Sequence, residues 1–177
     1  MVTYNDMNFE PCITRDEIRE IVQRVADQIS ADYAGRTPHF ICMLNGAVFF
    51  FTDLMRALKI DCTMSFMRLR SYEGTETTGK VEEVIPLQVD IRDRDIIVVE
   101  DIVDTGVTLH YLRERLLAMQ PRSLRMASLL FKPAKLQHED ARPEYYGREI
   151  PEAFVIGYGL DLDGMARNLP EIYSLKQ

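Results

Sequence analysis

The sequence predicts an α/β fold in which a doubly wound, mostly parallel sheet is flanked by helices. Strand patterns alternate with helix patterns along the chain, and two strands lead through tight turns directly into helices. The aliphatic run at 96–99 fits a strand that is covered on both faces. With 177 residues, 46% of them hydrophobic and 28% charged, the chain fits a single domain over residues 1–177.

The first predicted elements follow from a helix-start signal and a strand-turn-helix unit. Residues 14–17, Thr-Arg-Asp-Glu, form a capping-box pattern, and apolar residues at helical spacing over 18–29 predict an amphipathic helix that ends near Gly35. A buried strand at 39–44 then reaches a turn at Asn45-Gly46. The remaining predicted elements are a helix at 48–58, strands at 62–66, 81–89, 96–99 and 124–131, and a helix through Leu109, Leu112 and Leu116.

The segment after Lys132 has a looser pattern. Pro133, Pro143 and Pro151 interrupt it before apolar residues at 153–158 predict another strand. This tail is too short to fold alone. We expect it to cover the carboxyl ends of the strands, where open α/β sheets bind ligands.

An acidic doublet and a small polar turn carry the main functional signal. Glu100 and Asp101 stand where the strand leaves the sheet, and Asp104-Thr105-Gly106-Val107-Thr108 leads into a helix. Backbone N–H groups at a helix start attract phosphate, whereas carboxylates repel it and favour hydroxyls or positive charge. The pattern therefore predicts a ribose 5-phosphate as ligand, with a divalent cation reducing the remaining repulsion.

Composition and charge argue against several classes of protein. The net charge of -7 disfavours broad nucleic-acid binding. Cys12, Cys42 and Cys62 are odd in number and far apart, so neither a disulfide framework nor a zinc site is indicated. The first residues do not have the pattern of a leader peptide, and no apolar run approaches ~20 residues. We expect a cytoplasmic protein with no membrane and no nucleic acid among its partners.

Residues 98–108 resemble the phosphoribosyl-pyrophosphate motif of the phosphoribosyltransferases, and Val99 to Gly106 is similar to its hypoxanthine-guanine branch. Other segments resemble that branch in the same order over residues 40–169. Residues 44–47 resemble its first pyrophosphate loop, and residues 71–72 resemble the start of its mobile loop. Residues 130–132 resemble its base-recognition strand, and residues 150–167 resemble its C-terminal segment.

The resemblance implies a type I phosphoribosyltransferase fold with a small hood from the chain ends, to which residues 132–177 contribute. It implies transfer of 5-phosphoribosyl from phosphoribosyl pyrophosphate to N9 of a 6-oxopurine (hypoxanthine, guanine or xanthine) in purine salvage. It further implies Mg²⁺ as cofactor and a homodimer or homotetramer as the assembly.

The resemblance also assigns residue roles. Asp104 is the general base, and the residues that bind ribose and phosphate are Glu100, Asp101, Asp104, Thr105, Gly106, Val107 and Thr108. The purine-binding residues are Lys132, Phe154, Val155 and Asp161, and the pyrophosphate-binding residues are Asn45, Gly46 and Arg167. Ser71 and Tyr72 open the mobile loop, and the metal ligand is Asp161, with Glu100 and Asp101 as further candidates. Asn45 stands where the family usually has Lys or Arg.

Each candidate residue also has a plainer interpretation. Glu100 and Asp101 can be solvated acids that end a strand, and Asp104 and Thr105 can be plain helix caps. Lys132 and Arg167 can be surface cations, and Phe154 can be a core aromatic residue. His39, His110 and His138 show no nucleophile or metal-ligand spacing and are expected to be structural or exposed.

Two rival functions remain open. Residues 74–80 spell the G-x-x-x-x-G-K of a P-loop, and the strand with Glu100 and Asp101 would then imitate the acidic strand of a nucleotide hydrolase or kinase. The β-like residues that follow favour a lid that excludes water instead. The second rival is a non-catalytic nucleotide sensor or RNA-binding regulator on the same fold, which the acidic charge disfavours.

Overall fold

A computed structural model describes residues 1–71 and 81–176 of the protein. Its strands, in chain order, are β1 Val2–Tyr4, β2 Met7–Ile13, β3 His39–Met43, β4 Thr63–Ser71, β5 Val81–Ile85, β6 Asp95–Val103, β7 Ser123–Phe131, β8 Tyr145–Glu149, β9 Val155–Ile156 and β10 Ile172–Leu175. Its helices are α1 Arg15–Asp32, α2 Val48–Ala57 and α3 Val107–Ala118, with short 3-10 turns at Pro133–Lys135 and Glu139–Ala141.

The main sheet has six strands in the order β5-β4-β3-β6-β7-β8. The strands β4, β3, β6, β7 and β8 run parallel, and β5 is antiparallel to β4. In the central strand β6, Ile97 and Val99 pack with α1 and α2 on one face, while Ile96 and Val98 pack with α3 on the other. The sheet is therefore covered on both faces, and the predicted doubly wound α/β fold is confirmed.

A second, antiparallel sheet has the order β1-β2-β10-β9 and unites the two ends of the chain. We call this sheet, together with Phe154 and residues 157–171, the hood. Its own small core consists of buried side chains that pack separately from the main sheet: Phe9, Ile156, Ala166 and Tyr173.

The capping box that begins α1 is confirmed. The Thr14 hydroxyl accepts a hydrogen bond from the Glu17 backbone, and the Glu17 carboxylate accepts one from the Thr14 backbone. The helix ends at Asp32 instead of near Gly35, because Tyr33 already has non-helical dihedrals. Gly35 lies beyond the helix with a φ of +73°, which a glycine adopts without strain.

The largest differences from the predicted elements concern the chain ends. Only Val155–Ile156 of the apolar stretch 153–158 forms a strand, and this strand pairs with β10 in the hood. Within 132–177, Tyr145–Glu149 joins the main sheet as its edge strand, and β1 and β2 of the hood have no counterpart among the predicted strands. In the described part of the chain, every helix is too short or too polar to cross a membrane.

Candidate active site at the carboxyl edge of the parallel sheet

The candidate residues gather because neighbouring parallel strands end at the same edge of the main sheet. In the register of the sheet, Cys42 of β3 lies opposite Val99 of β6, and Val103 of β6 lies opposite Phe131 of β7. The segments that follow these strands therefore meet at one edge, as open α/β sheets require for a ligand site. They begin at Leu44, Asp104 and Lys132.

Asp104 and Lys132 form a direct pair. The Lys132 backbone N–H donates to the Val103 carbonyl at 2.9 Å, and its ammonium donates to Asp104 Oδ2 at 3.0 Å. Lys132 is only 7% exposed, so its interpretation as a surface lysine is wrong. Asp104 Oδ1 is buried and has no hydrogen-bond partner among the described residues; Lys135 Nζ is 3.7 Å away from it. The pair thus places a partly exposed carboxylate beside a buried cation.

The polar turn leads into α3 through a left-handed glycine. Gly106 is the N-cap residue with a φ of +79°, and an added Cβ would lie 2.8 Å from Leu136 Cδ1 and 2.9 Å from Ala141 Cβ. The Thr105 carbonyl accepts from the Gln137 N–H at 2.9 Å, which fixes the turn against the segment after β7. The N–H groups of a first helical turn have no intrahelical acceptor, so this end of α3 suits an anion.

Glu100 and Asp101 lie in an environment that disfavours two negative charges. Burial, together with the charge of Asp101, raises the pKa of Glu100 well above its ordinary value. Burial raises the pKa of Asp101 to about 6, and the charge of Asp161 acts in the same direction. The Ile102 N–H donates to Asp101 at 2.9 Å, and this bond and the charge of Arg167 oppose the shift. The doublet therefore favours groups that donate hydrogen bonds or carry positive charge.

The loop between β3 and α2 lies directly against the doublet. An added Cβ on Gly46 would be only 1.8 Å from Asp101 Oδ2, so no larger residue fits without displacement. On its other side, an added Cβ on Gly159 of the hood would be 2.0 Å from the Gly46 carbonyl oxygen. The Leu44–Asn45 peptide bond in this loop is cis. The loop is thus enclosed between β6 and the hood.

Asp161 and Arg167 form an ion pair in the hood. Arg167 Nη2 is 2.6 Å from Asp161 Oδ1, and Arg167 Nη1 donates to the Gly159 carbonyl at 2.6 Å. The other Asp161 oxygen accepts from the Gly164 N–H at 2.7 Å. Arg167 is therefore held in place, in contrast to an unattached surface cation. Both side chains act electrostatically on Asp101, so the hood and the sheet edge share one site.

Phe154 and Val155 are at the start of β9 in the hood. Phe154 is 45% exposed, which rules out its interpretation as a core aromatic, and its ring centroid is 6.2 Å from that of Phe9. Val155 is buried, and the Phe154 carbonyl accepts from the Leu175 N–H at 2.9 Å. An exposed ring on an anchored backbone is suited to stacking on a planar ligand.

Two neighbours in the site were not predicted, and one predicted part lies outside the described residues. Lys135 near Asp104 and Gly159 against the first loop are neighbours that the sequence did not single out; a second lysine three residues after Lys132 was the available signal for Lys135. Strand β4 ends at Ser71, at the same edge as the other parallel strands. The predicted roles of Tyr72 and of the P-loop-like residues 74–80 lie outside the described residues.

Comparison with known proteins agrees with this geometry. A family model described as the phosphoribosyl transferase domain matches residues 14–163. A hypoxanthine-guanine phosphoribosyltransferase of Staphylococcus aureus is 36% identical over 98% of this chain and 96% of its own length.

Solved structures give the same result. One of a hypoxanthine-guanine phosphoribosyltransferase from Bacillus anthracis superposes with a TM-score of 0.90 at 37% identity, covering 96% of this chain and 99% of that one. One of a hypoxanthine phosphoribosyl transferase from Trypanosoma cruzi has a TM-score of 0.91 at 33% identity, covering 99% and 95%. These similarities favour phosphoribosyl transfer in purine salvage over the P-loop and RNA-binding alternatives. The chain therefore belongs to the phosphoribosyltransferase family, and within it to the hypoxanthine-guanine phosphoribosyltransferases.

Proposed function

We propose that this enzyme transfers 5-phosphoribosyl from phosphoribosyl pyrophosphate to N9 of hypoxanthine or guanine, with xanthine as a third candidate base. The observation that carries the proposal is the Asp104–Lys132 pair, which lies beside the N-terminus of α3 at the carboxyl edge of the sheet. The pair combines a proton acceptor with a cation that can only donate hydrogen bonds. A 6-oxopurine presents the complementary groups.

On this proposal, Lys132 recognises the base and Asp104 accepts its proton. The Lys132 ammonium has three donors, so it can keep its bond to Asp104 and donate to the purine 6-oxo oxygen as well. The Asp104 carboxylate, whose side chain is partly exposed, takes the N7 proton while N9 attacks the sugar. Phe154 stacks on the ring, and the backbone of Val155 reads the edge of the base. A preference for 6-oxopurines over adenine follows, because adenine offers an amino group to Lys132.

The sugar phosphate occupies the turn and the acidic doublet. Its 5-phosphate accepts hydrogen bonds from the turn at residues 105–108, and its hydroxyls donate to Glu100 and Asp101. The bond to pyrophosphate breaks ahead of the bond to N9, so the anomeric carbon gains positive charge next to the doublet. Gly46, Asn45 and Arg167 then contact the departing pyrophosphate. The close approach of Gly46 to Asp101 supports this arrangement.

The side chains at this edge suit Mg²⁺. Carboxylate oxygens are the donors that this hard cation prefers, and it is commonly held by one or two carboxylates together with substrate phosphates. Asp161 is the first candidate ligand, with Glu100 and Asp101 as further candidates. Burial raises the pKa of both acids of the doublet, so a bound cation would stabilise their charged forms. When bound, the ion would neutralise charge on the pyrophosphate as it leaves.

We further propose that residues 1–177 act as one domain in which the hood covers the base site, and that the enzyme is a homodimer or homotetramer. The contact of Gly159 with the Gly46 carbonyl supports the first point, since it joins hood and sheet. For the second, the oligomeric state of the Trypanosoma cruzi relative has been connected with its C-terminal region. Free thiols at Cys12, Cys42 and Cys62 support a cytoplasmic location.

The test is a pyrophosphate-release assay with phosphoribosyl pyrophosphate and each of hypoxanthine, guanine, xanthine, adenine and uracil. We expect magnesium-dependent release with the first two bases, and none with adenine or uracil. An Asp104→Asn variant, which cannot accept the proton, is the matched control for contaminating activity. Release with adenine or uracil alone would contradict the proposed base recognition.

A further inference from the structure

Two histidines and an aspartate that have no assigned role in the transferase chemistry converge beside α3. His110 belongs to α3, Asp140 lies in the 3-10 turn Glu139–Ala141, and His138 immediately precedes that turn. The two imidazole rings stack with centroids 4.1 Å apart and planes inclined by 7°. Asp140 Oδ2 is 2.8 Å from His110 Nδ1. One ligand atom from each of the three residues lies within 4.8 Å of the other two.

We propose that His110, His138 and Asp140 form a binding site for a divalent transition-metal ion, with Zn²⁺ as the best match. Two imidazole nitrogens and one carboxylate oxygen are a common three-residue donor set for zinc, and they leave a fourth position for water. Imidazole donors also select zinc over magnesium, which prefers oxygen ligands and retains its own water. This site is therefore chemically distinct from the magnesium site proposed for the transferase reaction.

The geometry requires only small side-chain movements. A tetrahedral zinc ion with bonds of about 2.1 Å separates its ligand atoms by about 3.4 Å. The distance from His110 Nδ1 to Asp140 Oδ2 would increase slightly from 2.8 Å to reach this value. The largest distance between ligand atoms of the three residues, which is at most 4.8 Å, would decrease to it. Asp140 is exposed and both histidines are partly exposed, so torsional changes at these side chains meet little resistance.

Two neighbouring interactions prepare the ligands. Both oxygens of Asp140 lie within 3.0 Å of His110 Nδ1, so the carboxylate already faces the ring nitrogen that would bind the metal. On the other side of the same ring, His110 Nε2 is 4.0 Å from Glu114 Oε2, one helical turn further along α3. A carboxylate that accepts from the second nitrogen of a ligating histidine fixes the ring orientation and increases its basicity. At 4.0 Å Glu114 is not hydrogen-bonded to the ring, and a small side-chain rotation would bring it into this supporting contact with His110 bound through Nδ1.

A metal ion here would join two segments that frame the active site. The helix that carries His110 begins at the Gly106 turn, and the segment that carries His138 and Asp140 follows Lys132. These segments already pack closely at Gly106, because a Cβ added there would be only 2.8 Å from Leu136 and 2.9 Å from Ala141. The ion would therefore stabilise the folded protein without touching substrate. This inference does not depend on the proposed roles in catalysis.

Histidine NMR spectra provide a direct test, because the chain contains only three histidines. Metal-free enzyme is titrated with Zn²⁺ in an excess of Mg²⁺, which occupies the carboxylate site. We expect the imidazole resonances of His110 and His138 to shift together and to saturate at one equivalent. His39 is an internal reference, since it is 2% exposed and its ring nitrogens contact Thr63 and Ser65. If the resonances of His110 and His138 stay fixed, or shift without saturating, the proposal is wrong.

Variants identify the ligands. Loss of even an outer partner of a metal ligand costs about 10- to 100-fold in metal affinity, so His138→Asn and Asp140→Asn should each lose at least about 10-fold in a zinc-indicator competition assay. Glu139→Gln changes the charge of the same turn outside the cluster and should leave the affinity unchanged. Zinc should also raise the Tm of the wild type and of Glu139→Gln, with little effect on the two ligand variants. Equal zinc affinity in all four proteins would overturn the assignment.

Discussion

At the scale of single residues, Asp104 is distinguished by having one bonded and one unbonded carboxylate oxygen. We predict that Asp104→Asn lowers kcat by about 10²- to 10⁴-fold, because an amide of the same size cannot accept the purine proton. The KM for phosphoribosyl pyrophosphate should change little. Initial rates at varied concentrations of both substrates measure the two effects. Undiminished turnover would remove Asp104 from the proposed role.

Lys132 should affect the base more than the sugar phosphate. Methionine keeps much of the length of the side chain but loses its charge, and a hydrogen bond to a charged group contributes about 1.5–3 kcal/mol. We therefore predict that Lys132→Met raises the KM for hypoxanthine by about 10- to 100-fold and the KM for phosphoribosyl pyrophosphate much less. Lys135→Met is the matched control, since its ammonium is 3.7 Å from the same carboxylate but is more exposed. Equal increases in both KM values for Lys132→Met would locate base recognition elsewhere.

The raised pKa of Asp101 should be visible in protein stability. Burial raises this pKa from 3.8 to about 6, so the folded protein holds the proton more tightly than the unfolded chain does. The contribution of this group to the free energy of unfolding therefore decreases as pH rises from about 4 to about 6, and it is constant above that range. Glu100 shifts in the same direction. Asp101→Asn cannot titrate, so its stability relative to wild type should increase across the same range.

Urea unfolding of wild type and Asp101→Asn over a series of pH values tests this prediction. Asp27→Asn is a control of opposite sign, because the hydrogen bond with Lys59 lowers the pKa of this exposed acid. Its stability relative to wild type should fall as pH rises through the range where Asp27 ionises. If the stability of Asp101→Asn relative to wild type decreases with rising pH, or is independent of pH, the doublet is not desolvated in solution.

At the scale of elements, the loop between β3 and α2 depends on the absence of a side chain at residue 46. In Gly46→Ala the new Cβ would be 1.8 Å from Asp101 Oδ2, so either the loop or the carboxylate must move. Overpacking of this kind costs about 1–3 kcal/mol. We predict a lower stability and a higher KM for phosphoribosyl pyrophosphate, measured by urea unfolding and steady-state kinetics.

Gly35→Ala is the matched control for this loop. Gly35 has a φ of +73° and no atom within 4 Å of an added Cβ, so alanine costs about 1–2 kcal/mol of backbone strain but creates no clash. Its kinetics should therefore resemble those of wild type. A Gly46→Ala variant with normal kinetics would show that the loop and Asp101 can separate without loss of cosubstrate binding.

The elements that sequence predicted well are those whose signals are local. The aliphatic run of β6, the Gly106 turn and the spacing of Leu109, Leu112 and Leu116 lie within one continuous stretch, and all are found as expected. The capping box of α1 is equally local. By contrast, β2 is stabilised by pairing with β10, whose residues lie about 160 positions away, and no pattern within a few residues encodes that contact.

The same distinction applies to the site. The resemblance named Asp104 and Lys132 separately, but their contact depends on the register that places Val103 opposite Phe131. The cluster of His110, His138 and Asp140 was missed because its histidines are 28 positions apart and meet only through the packing of α3. Residue types and turns follow from sequence, whereas the side chains that touch follow from the order of the strands.

At the scale of the whole molecule, the proposed site lies between a main sheet with a core on each face and a hood with its own small core. Asp104 and Lys132 belong to the sheet, whereas Phe154 and Arg167 belong to the hood. The two bodies meet where Gly159 approaches the Gly46 carbonyl. Ile13, Val155 and Ile172 of the hood pack into the main core, but the small cluster around Phe9 lies outside it. A change at Phe9 should therefore reach the base site with little effect on the packing of the sheet.

Phe9 allows this idea to be tested. It is fully buried in the hood core, and its ring centroid is 6.2 Å from that of Phe154. Loss of an aromatic pair costs about 0.5–1.5 kcal/mol, so we predict that Phe9→Leu raises the KM for hypoxanthine by about fivefold, and that for phosphoribosyl pyrophosphate less. Ile29→Val makes a comparable cavity in the main core, at about 0.5–1.5 kcal/mol, and should leave both KM values unchanged. Steady-state kinetics and urea unfolding of both variants give the comparison, and equal kinetic effects would mean that hood and sheet respond as one core.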